Sequence, residues 1–501
     1  MGGIRGPRQG QHFLHRIAML KKNKFYITTP IYYVNAQPHI GHVYTTVKAD
    51  VVARWKRKQG KEVFFSAGTD EHGLKIQNEA EKAGKEPQIF VDEISSQFVD
   101  LWKRLDISYD AFVRTSGQKH KEIVVKTLEE LYKKGAIYKG IYKGLYCVGC
   151  EQFLLKSQLV DNKCPDHKTK PEILAEENYL LKMSVLQENL IKKIESDEFK
   201  ITPATRKNEI LSFLTKQKLE DISISRPKKK VSWGIPLPFD QNHTTYVWID
   251  ALLNYLTVAP DFFPPDIQFM AKDILRVHAT IWPAILIHLN LPLPKEIYVH
   301  GFILSGGRKM SKTLGNVIDP RDLLERYNKD SLRHYLMKEI NSFEDGDITE
   351  DKFKEVYNAD LANGIGNLFE RVFTMIIDYQ IDAARNKKID TNIKEWLEEA
   401  DKQYKFYMEK YNLAEALKEV FSFVSQLDKY IDDKKPWVMR KNNDVKLEAV
   451  LTSLFFGIEK IIGWLEPFMP AKMLDAKNYV QKIKSGKISK GEKLNLFPRI
   501  V

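Results

Sequence analysis

Cysteine is almost absent from this chain, with three residues among 501. All three lie between Cys147 and Cys164, which disfavours a secreted disulfide framework and indicates a reducing, cytoplasmic compartment. No apolar run approaches the roughly 18 residues that a membrane span needs, so no membrane association is expected. The charged fraction of 29% argues against disorder, and the net charge of +12 favours a polyanionic partner.

Acidic residues are missing from residues 1–24, which carry six Lys and Arg residues. An organelle-targeting peptide has this charge pattern and would give an organellar localisation. However, the stretch has little serine and contains early Gly-Gly and Gly-Pro pairs. We therefore favour a disordered basic tail.

Residues 25–67 predict a strand, a helix and a second strand. Residues 24–33 and 62–67 are the strands, and residues 41–58 carry apolar side chains at every fourth position from Val43 to Trp55. Gly60 ends the predicted helix. A βαβ unit of this length predicts a parallel sheet and hence an α/β fold. Helical periodicity continues through residues 89–105 and 119–134.

The residue composition changes twice further along the chain. Residues 140–177 hold the cysteines and several glycines, which indicates a small insertion followed by a helical stretch to about residue 219. Residues 245–249 and 297–304 predict further strands, and Asp319-Pro320 predicts a helix start. After residue 350 proline is absent until Pro436 and 3.6-residue periodicity dominates. This part predicts an all-helical bundle.

Two distant motifs carry the chemistry of a triphosphate site. His39 and His42 flank Gly41 at a predicted helix N-terminus, where free N–H groups and the helix dipole attract phosphate. Lys309, Ser311 and Lys312 lie in a later loop that contains Gly306 and Gly307. Either motif alone is weak. Their order and their strand–turn–helix context favour ATP binding, with magnesium accompanying the triphosphate.

The cysteines form a metal-ligand pattern. Cys147 and Cys150 are followed, after thirteen residues, by Cys164 and His167, which is the spacing of a tetrahedral zinc knuckle. Four protein ligands leave no open position, so we expect one structural zinc ion. The alternative is three ordinary buried cysteines and a surface histidine.

The chain resembles the methionyl-tRNA synthetase family of class I aminoacyl-tRNA synthetases. The resemblance covers about nine-tenths of the chain and rests on several blocks taken together. Thr29 to Asn35 runs into His39-Ile40-Gly41-His42, and the later blocks are Gly68-Thr69-Asp70-Glu71-His72-Gly73, Tyr146-Cys147, Trp233-Gly234-Ile235-Pro236, Val247-Trp248-Ile249-Asp250-Ala251 and Lys272-Asp273-Ile274.

This resemblance implies a Rossmann-like catalytic core with a zinc-binding insertion and a helical anticodon-binding domain. The implied reaction joins methionine to ATP as methionyl-adenylate, releases pyrophosphate, and transfers the methionyl group to the terminal ribose of a methionine tRNA. His39, His42, Lys309 and Lys312 are the implied catalytic residues. The expected domains are a tail (1–24), a first core half (25–139), the insertion (140–225), a second core half (226–295), a lysine-loop region that contacts the tRNA stem (296–355) and the anticodon domain (356–501).

The resemblance also implies a methionine pocket. Within it, Asp70 would hold the substrate ammonium group, and Tyr33 and His278 would face the thioether sulfur. Spacing alone favours a different interpretation, because two sets of the residues recur on single helix faces, as core residues do. The implied pocket residues are Ile31, Tyr33, Asp70, Trp248, Ala251, Leu252, Tyr255, Ile274, His278 and Trp282.

Anticodon contacts are implied at Asn367, Arg371 and Trp437. Amide and guanidinium groups can read base edges, and an indole can stack on an unpaired base. Spacing alone favours a polar helix stripe and an anchoring tryptophan. We also expect a monomer, because the sequence offers no obvious room for the appended tRNA-binding barrel of dimeric relatives.

Two other functions remain open from the sequence. One is a class I synthetase for another amino acid, such as cysteine or leucine. The other is a tRNA-binding protein without catalysis, which the intact His39, His42, Lys309 and Lys312 disfavour.

Overall fold

The computed structural model describes residues 23–149, 152–154, 159–165, 167–310, 318–382 and 389–500. Within these ranges the chain forms two compact units. The first unit contains the described parts of residues 1–38, 56–101 and 108–300, and the second contains those of 39–55, 102–107 and 301–501. No helix in the described ranges has both the length and the apolar content needed to cross a bilayer.

The strands are short except for the first two and the long pair in the insertion. In chain order they are β1 (Lys24–Tyr33), β2 (Glu62–Asp70), β3 (Ala111–Arg114), β4 (Ile137–Cys147), β5 (Gln152–Leu154), β6 (Glu172–Leu181), β7 (Lys200–Thr202), β8 (Ile222–Ser223), β9 (Ser225–Pro227), β10 (Pro236–Leu237), β11 (Asp240–Thr245), β12 (Ile267–Ala271), β13 (Glu296–His300), β14 (Ile303–Ser305), β15 (Arg308–Lys309) and β16 (Gly346–Ile348).

Helices fill most of the remaining described chain. They are α1 (Ile40–Lys58), α2 (Leu74–Lys82), α3 (Pro87–Arg104), α4 (Gln118–Lys133), α5 (Gln187–Glu195), α6 (Ala204–Lys216), α7 (Val247–Leu252), α8 (Asn254–Thr257), α9 (Leu275–Leu289), α10 (Pro320–Arg326), α11 (Lys329–Glu339), α12 (Glu350–Val356), α13 (Asn367–Asp378), α14 (Thr391–Glu409), α15 (Leu413–Lys434), α16 (Pro436–Lys441), α17 (Leu447–Leu465) and α18 (Pro470–Lys484), with a π-helix at Tyr357–Gly366.

A six-stranded parallel sheet forms the centre of the first unit. Its strand order is β3-β2-β1-β12-β13-β7, and every recorded pairing in it is parallel. The chain leaves β1 toward β2 on one side and occupies β12 and β13 on the other. The order therefore reverses beside β1, and ligands in doubly wound sheets bind at the carboxyl ends of such strands. The predicted α/β fold is confirmed.

The insertion contains its own antiparallel sheet. Strands β5, β4, β6 and β8 are neighbours in that order, and β4 pairs with β6 from Ile137↔Leu181 to Tyr146↔Glu172. The helical stretch predicted to follow it is interrupted, because β7 lies between α5 and α6 and joins the edge of the parallel sheet beside β13. Three residues of strand are too short for periodicity to reveal.

The second unit contains the predicted helical bundle. Leu361, Ile365, Leu368 and Val372 are fully buried, as their spacing predicts. The helix N-terminus at Asp319-Pro320 is also confirmed, since the Asp319 carboxylate accepts a hydrogen bond from the Arg321 amide. The π-helix was not predicted.

Two predicted strands were wrong in extent. Residues 245–249 contain only the last residue of β11, and α7 begins at Val247. Residues 297–304 contain most of β13 and the start of β14, separated by Gly301 and Phe302. Gly301 lies against the chain at Glu344, where an added Cβ would approach the Glu344 carbonyl oxygen to 2.1 Å.

A buried ion pair anchors α1 within the second unit. The Arg333 guanidinium of α11 lies 2.6 Å from the Asp50 carboxylate, and both side chains are inaccessible to solvent. Arg333 also donates to the carbonyl groups of Phe468, Pro467 and Leu105 at 2.8, 3.0 and 3.4 Å. The guanidinium is therefore paired in several directions, which makes its burial tolerable.

Candidate functional site

The predicted methionine-pocket residues all belong to the first unit. Ile31 and Tyr33 are near the carboxyl end of β1, Asp70 ends β2, and Ile274 follows β12. Cross-strand pairing places Ile31 opposite Gly68 and Tyr33 opposite Asp70. These positions lie at the edge where the strand order reverses, so the sheet topology brings them together.

The other pocket residues lie on helices that contribute to the core. Leu252, Tyr255 and Trp282 are buried in one hydrophobic cluster, and Tyr33, Trp248 and Ile274 pack against it half-buried. The burial that spacing predicts is therefore present for Leu252, Tyr255 and Trp282, and their role in a pocket stays a prediction. Among the described residues, the indole N–H groups of Trp248 and Trp282 have no hydrogen-bond acceptor, although such groups are normally paired.

Tyr255 and His278 form a neutral pair. The His278 Nδ1 lies 2.9 Å from the Ile274 carbonyl oxygen, so Nδ1 carries the proton and Nε2 accepts from the Tyr255 hydroxyl at 2.9 Å. Burial lowers the pKa of His278 to about 4, and it raises the pKa of Tyr255. The Tyr255–His278 pair therefore carries no charge at neutral pH.

The segment that follows β2 is fixed by its neighbours. The Glu71 carboxylate accepts from Thr69 at 2.6 Å and from two nitrogens of Arg114 at 2.7 and 3.0 Å. The indole of Trp233 donates to the Glu71 carbonyl oxygen at 2.5 Å, and the Gly73 amide donates to the Trp233 carbonyl oxygen at 3.0 Å. Asp70 therefore lies at the start of a rigid turn.

A buried carboxylate lies behind this turn. Asp250 of α7 is 1% exposed, and its two oxygens lie 2.6 Å from His72 Nδ1 and 2.7 Å from His120 Nε2. Burial alone would raise the pKa of the Asp250 carboxyl, but the two imidazoles hold that pKa at about 2. Sequence patterns predict no role for Asp250, His72 or His120. His72 and Asp250 lie within two of the blocks that carry the family resemblance, whereas nothing in the sequence marks His120.

The two motif histidines lie in the second unit at the first turn of α1. Their rings stack with centroids 3.7 Å apart. The Gly41 amide donates to His39 Nδ1 at 3.1 Å, and the His39 amide donates to His42 Nδ1 at 3.2 Å. Both imidazoles are therefore acceptors at Nδ1, and each neutral ring carries its proton on Nε2.

Burial keeps both rings neutral. It lowers the pKa of His39 to about 4, and burial together with the neighbouring His39 holds the pKa of His42 well below its ordinary value. Gly41 also makes room for this arrangement, since an added Cβ would lie 2.9 Å from the His39 ring. The first turn of α1 thus offers neutral N–H donors, which suit an anionic phosphate.

The lysine motif is only partly described. Gly306 and Gly307 have φ values of +61° and +72° and form the two-residue turn between β14 and β15, with Ser305 paired to Arg308. Positive φ at both positions is typical of a hairpin turn, so the glycines here serve turn geometry. Lys309 ends β15, and Ser311 and Lys312 lie outside the described residues.

Three of the four predicted zinc ligands come together. The donor atoms of Cys147, Cys164 and His167 all lie within 4.8 Å of one another, and both sulfurs are about 4 Å from His167 Nδ1, at 4.0 and 3.9 Å. Tetrahedral zinc would separate a sulfur and a nitrogen ligand by about 3.6 Å, so the cluster fits with small shifts. Cys150 lies outside the described residues.

The predicted anticodon residues lie in the helical bundle of the second unit. Asn367 is exposed at the start of α13, and Trp437 is 44% exposed at the second residue of α16. Arg371 pairs with Asp432 at 2.9 Å and approaches Asp428 at 3.6 Å on α15. Burial raises the pKa of Asp428 to about 6, with Arg371 lowering it and Asp432 raising it.

A doubly wound parallel sheet, paired histidines at a helix N-terminus and a following helical bundle define a class I aminoacyl-tRNA synthetase. The family model described as tRNA synthetases class I (M) matches residues 25–170 and 155–373. A model of the anticodon-binding domain of tRNA ligases matches residues 390–473.

Similar proteins narrow the class to one family. The methionine–tRNA ligase of Caldanaerobacter subterraneus subsp. tengcongensis is 41% identical over 96% of this chain and 79% of its own length. That of Clostridium acetobutylicum is 42% identical over 90% and 72%. The Mycobacterium tuberculosis methionyl-tRNA synthetase, solved in complex with methionyl-adenylate, has a TM-score of 0.87 at 31% identity and covers 95% of this chain and 100% of that one. The chain belongs to the methionyl-tRNA synthetase family.

Proposed function

We propose that this chain activates methionine with ATP and transfers the methionyl group to the 3′-terminal ribose of a methionine tRNA. In the first step the methionine carboxylate attacks the α-phosphorus of ATP, and the bond to the leaving pyrophosphate breaks. The substrate supplies the nucleophile, so the protein has to position groups and stabilise charge. Family membership supports this reaction, and the paired Nε2 donors of His39 and His42 are the observation that carries it.

The histidine pair acts on the phosphates. Both Nδ1 atoms accept from backbone amides, so each neutral ring carries its proton on Nε2, the atom that we assign to the phosphates. Neutral donors stabilise the charge that develops on phosphate oxygens without requiring a buried cation beforehand. We assign Lys309, Ser311 and Lys312 to the same triphosphate by their motif, and we propose that magnesium accompanies it.

The pocket at the sheet edge of the first unit binds methionine. We assign the substrate ammonium group to Asp70, which is held at the end of β2 by the neighbouring turn. The uncharged pair of Tyr255 and His278 suits a thioether, because a polarizable sulfur atom packs favourably against neutral aromatic rings. The indole N–H groups of Trp248 and Trp282 complete the lining.

Zinc has a structural role in this proposal. Cys147, Cys164 and His167, with Cys150 as the fourth ligand, would close the coordination shell of one ion. The small cluster around them, with Leu154 and Leu159, is too small to be an independent core. The Lys75 ammonium group donates to the Gly149 carbonyl at 3.3 Å and lies 6.0 Å from the Tyr33 ring, which links the knuckle to the methionine pocket.

The helical bundle recognises the tRNA anticodon. Trp437 offers a half-exposed indole for stacking, and Asn367 offers an exposed amide for a base edge. Arg371 is held by Asp432, so its guanidinium is oriented before a nucleotide arrives. This assignment follows the family's motif positions.

Amino-acid-dependent ATP–pyrophosphate exchange tests the proposed function. Methionine should support exchange, whereas leucine and cysteine should not. Trp437→Ala provides a control, because it removes a side chain of the helical bundle. ATP–pyrophosphate exchange measured in the absence of tRNA should be the same in this variant as in wild type. Exchange with leucine or cysteine but not methionine would refute the specificity, and no exchange with any amino acid would refute the enzymatic function.

A further inference from the structure

The buried carboxylate of Asp250 connects two parts of the predicted methionine pocket. Asp250 lies on α7 between Trp248 and Ala251, two residues that we assign to the methionine pocket. Its partner His72 lies two residues after Asp70, which is assigned to the substrate ammonium group. One carboxylate therefore joins the turn after β2 to the helix that lines the opposite part of the pocket.

The same carboxylate reaches a third element. His120 of α4 bonds the other Asp250 oxygen through Nε2, and its Nδ1 lies 2.9 Å from the hydroxyl of Thr257, the last residue of α8. All three members of the cluster are at most 3% exposed, counted by side chain. Asp250 is thus the hub of a hydrogen-bonded cluster that includes α4, α7, α8 and the turn after β2.

We propose that Asp250 is a positioning residue for methionine, acting through His72 on the turn that carries Asp70. This inference rests on the proposed function. A hydrogen-bonded carboxylate in a buried site fixes its partners to within a fraction of an ångström, and small displacements of a substrate-binding group are costly. The carboxylate touches neither substrate nor ATP in this proposal. It sets the distance between the ammonium-binding and thioether-binding parts of one pocket.

The first test is Asp250→Asn. The amide keeps the shape of the side chain but presents N–H to one of the two imidazole nitrogens, so that histidine must either change tautomer or lose its hydrogen bond. The KM for methionine in ATP–pyrophosphate exchange should rise by roughly 10- to 100-fold. The KM for ATP should stay within about twofold of wild type.

Asp266→Asn is a matched control for the loss of a buried carboxylate. Asp266 is 7% exposed in the same unit, accepts from the Tyr26 amide at 2.8 Å and pairs with Lys295 at 2.6 Å. This variant should lower thermal stability without a selective effect on methionine. Equal methionine KM values in Asp250→Asn and Asp266→Asn, or an Asp250→Asn value within twofold of wild type, overturn the proposal.

Amide scanning of the histidines keeps the proposal testable if Asp250→Asn does not fold. The nitrogen of asparagine lies near the position of Nδ1, and that of glutamine lies near Nε2. Because His72 donates through Nδ1, His72→Asn should retain a methionine KM close to wild type and His72→Gln should not. Because His120 donates through Nε2, the order should reverse, with His120→Gln the milder variant.

The two histidine series give opposite predictions for the same pair of amides, so a general loss of stability cannot imitate them. Equal effects of asparagine and glutamine at position 72 would overturn the positioning role. The wild-type chain is measured first. Absence of methionine-dependent exchange in wild type refutes the proposed function, whereas normal wild-type exchange with unaffected variants refutes only the positioning role.

Discussion

Removal of Arg333 should destabilise the second unit strongly. Its guanidinium pairs with Asp50 at 2.6 Å and donates to the carbonyl groups of Phe468, Pro467 and Leu105, all inside the unit. Arg333→Ala leaves a cavity and removes the donor to three carbonyl groups. It also removes the fully buried partner of the Asp50 carboxylate, although Arg54 still lies 2.8 Å from that carboxylate. The loss of the buried ion pair together with these hydrogen bonds should cost about 3–5 kcal/mol.

The expected effect is large enough to measure by thermal unfolding. In a domain of 150–250 residues each kcal/mol shifts the melting temperature by about 2–4 °C, so the transition of the second unit should fall by roughly 6–20 °C. The ion pair between Arg326 and Glu350 supplies the matched control, because it lies in the same unit with both side chains about half exposed. Arg326→Ala should change stability by less than about 1 kcal/mol.

Arg333→Lys separates charge from geometry. A lysine keeps the positive charge beside Asp50 but cannot donate from a planar fork to several carbonyl groups at once. Its stability should lie between those of wild type and Arg333→Ala. The reasoning is refuted if Arg333→Ala unfolds within 1 kcal/mol of wild type, or if it matches Arg326→Ala.

Three further predictions concern the metal, the bundle and pH. Gly149→Ala should lower bound zinc, measured by mass spectrometry of the metal content, because an added Cβ would lie 2.4 Å from the His167 ring. Trp437→Ala should weaken tRNA binding in a filter assay by roughly 10-fold, from the loss of about 1–3 kcal/mol of stacking. His278, whose pKa burial lowers to about 4, resists protonation in the folded state. In the unfolded chain this histidine binds a proton below about pH 6.5. Its contribution to the free energy of unfolding is therefore complete above that pH and is lost as the pH falls toward 4. Melting temperatures measured from pH 7.5 to 4.5 should therefore depend less on pH in His278→Gln than in wild type.

The long, periodic elements could be predicted from the sequence. β1 has the predicted bounds, and α1 begins one residue before the predicted start and ends where predicted. Burial along one face of the bundle also follows the predicted 3.6-residue periodicity. The buried residues are Leu361, Ile365, Leu368, Val372 and Ile376. Short strands such as β7 depend on partners distant in the chain, so local periodicity did not reveal them.

The candidate site was only partly readable in advance. The histidine motif predicted which residues lie at the start of α1, but it did not predict which ring nitrogen of each histidine accepts from a backbone amide. That choice depends on which backbone amide the folded chain brings to Nδ1. The cluster around Asp250 depends on contacts among α4, α7, α8 and the turn after β2, so spacing could not reveal it. The roles of individual site residues, the domain boundaries, the monomeric state and the cytoplasmic localisation stay predictions.

Each of the stacked imidazoles at the start of α1 uses its two ring nitrogens, Nδ1 and Nε2, for different contacts. The Nδ1 edge accepts a backbone amide proton, and the opposite edge carries Nε2–H, which the proposed function assigns to phosphate. Asparagine can reproduce the first edge and glutamine the second, but no other proteinogenic side chain spans both. A mutational library at positions 39 and 42, selected for growth on this enzyme alone, should therefore return histidine even where neighbouring positions drift freely.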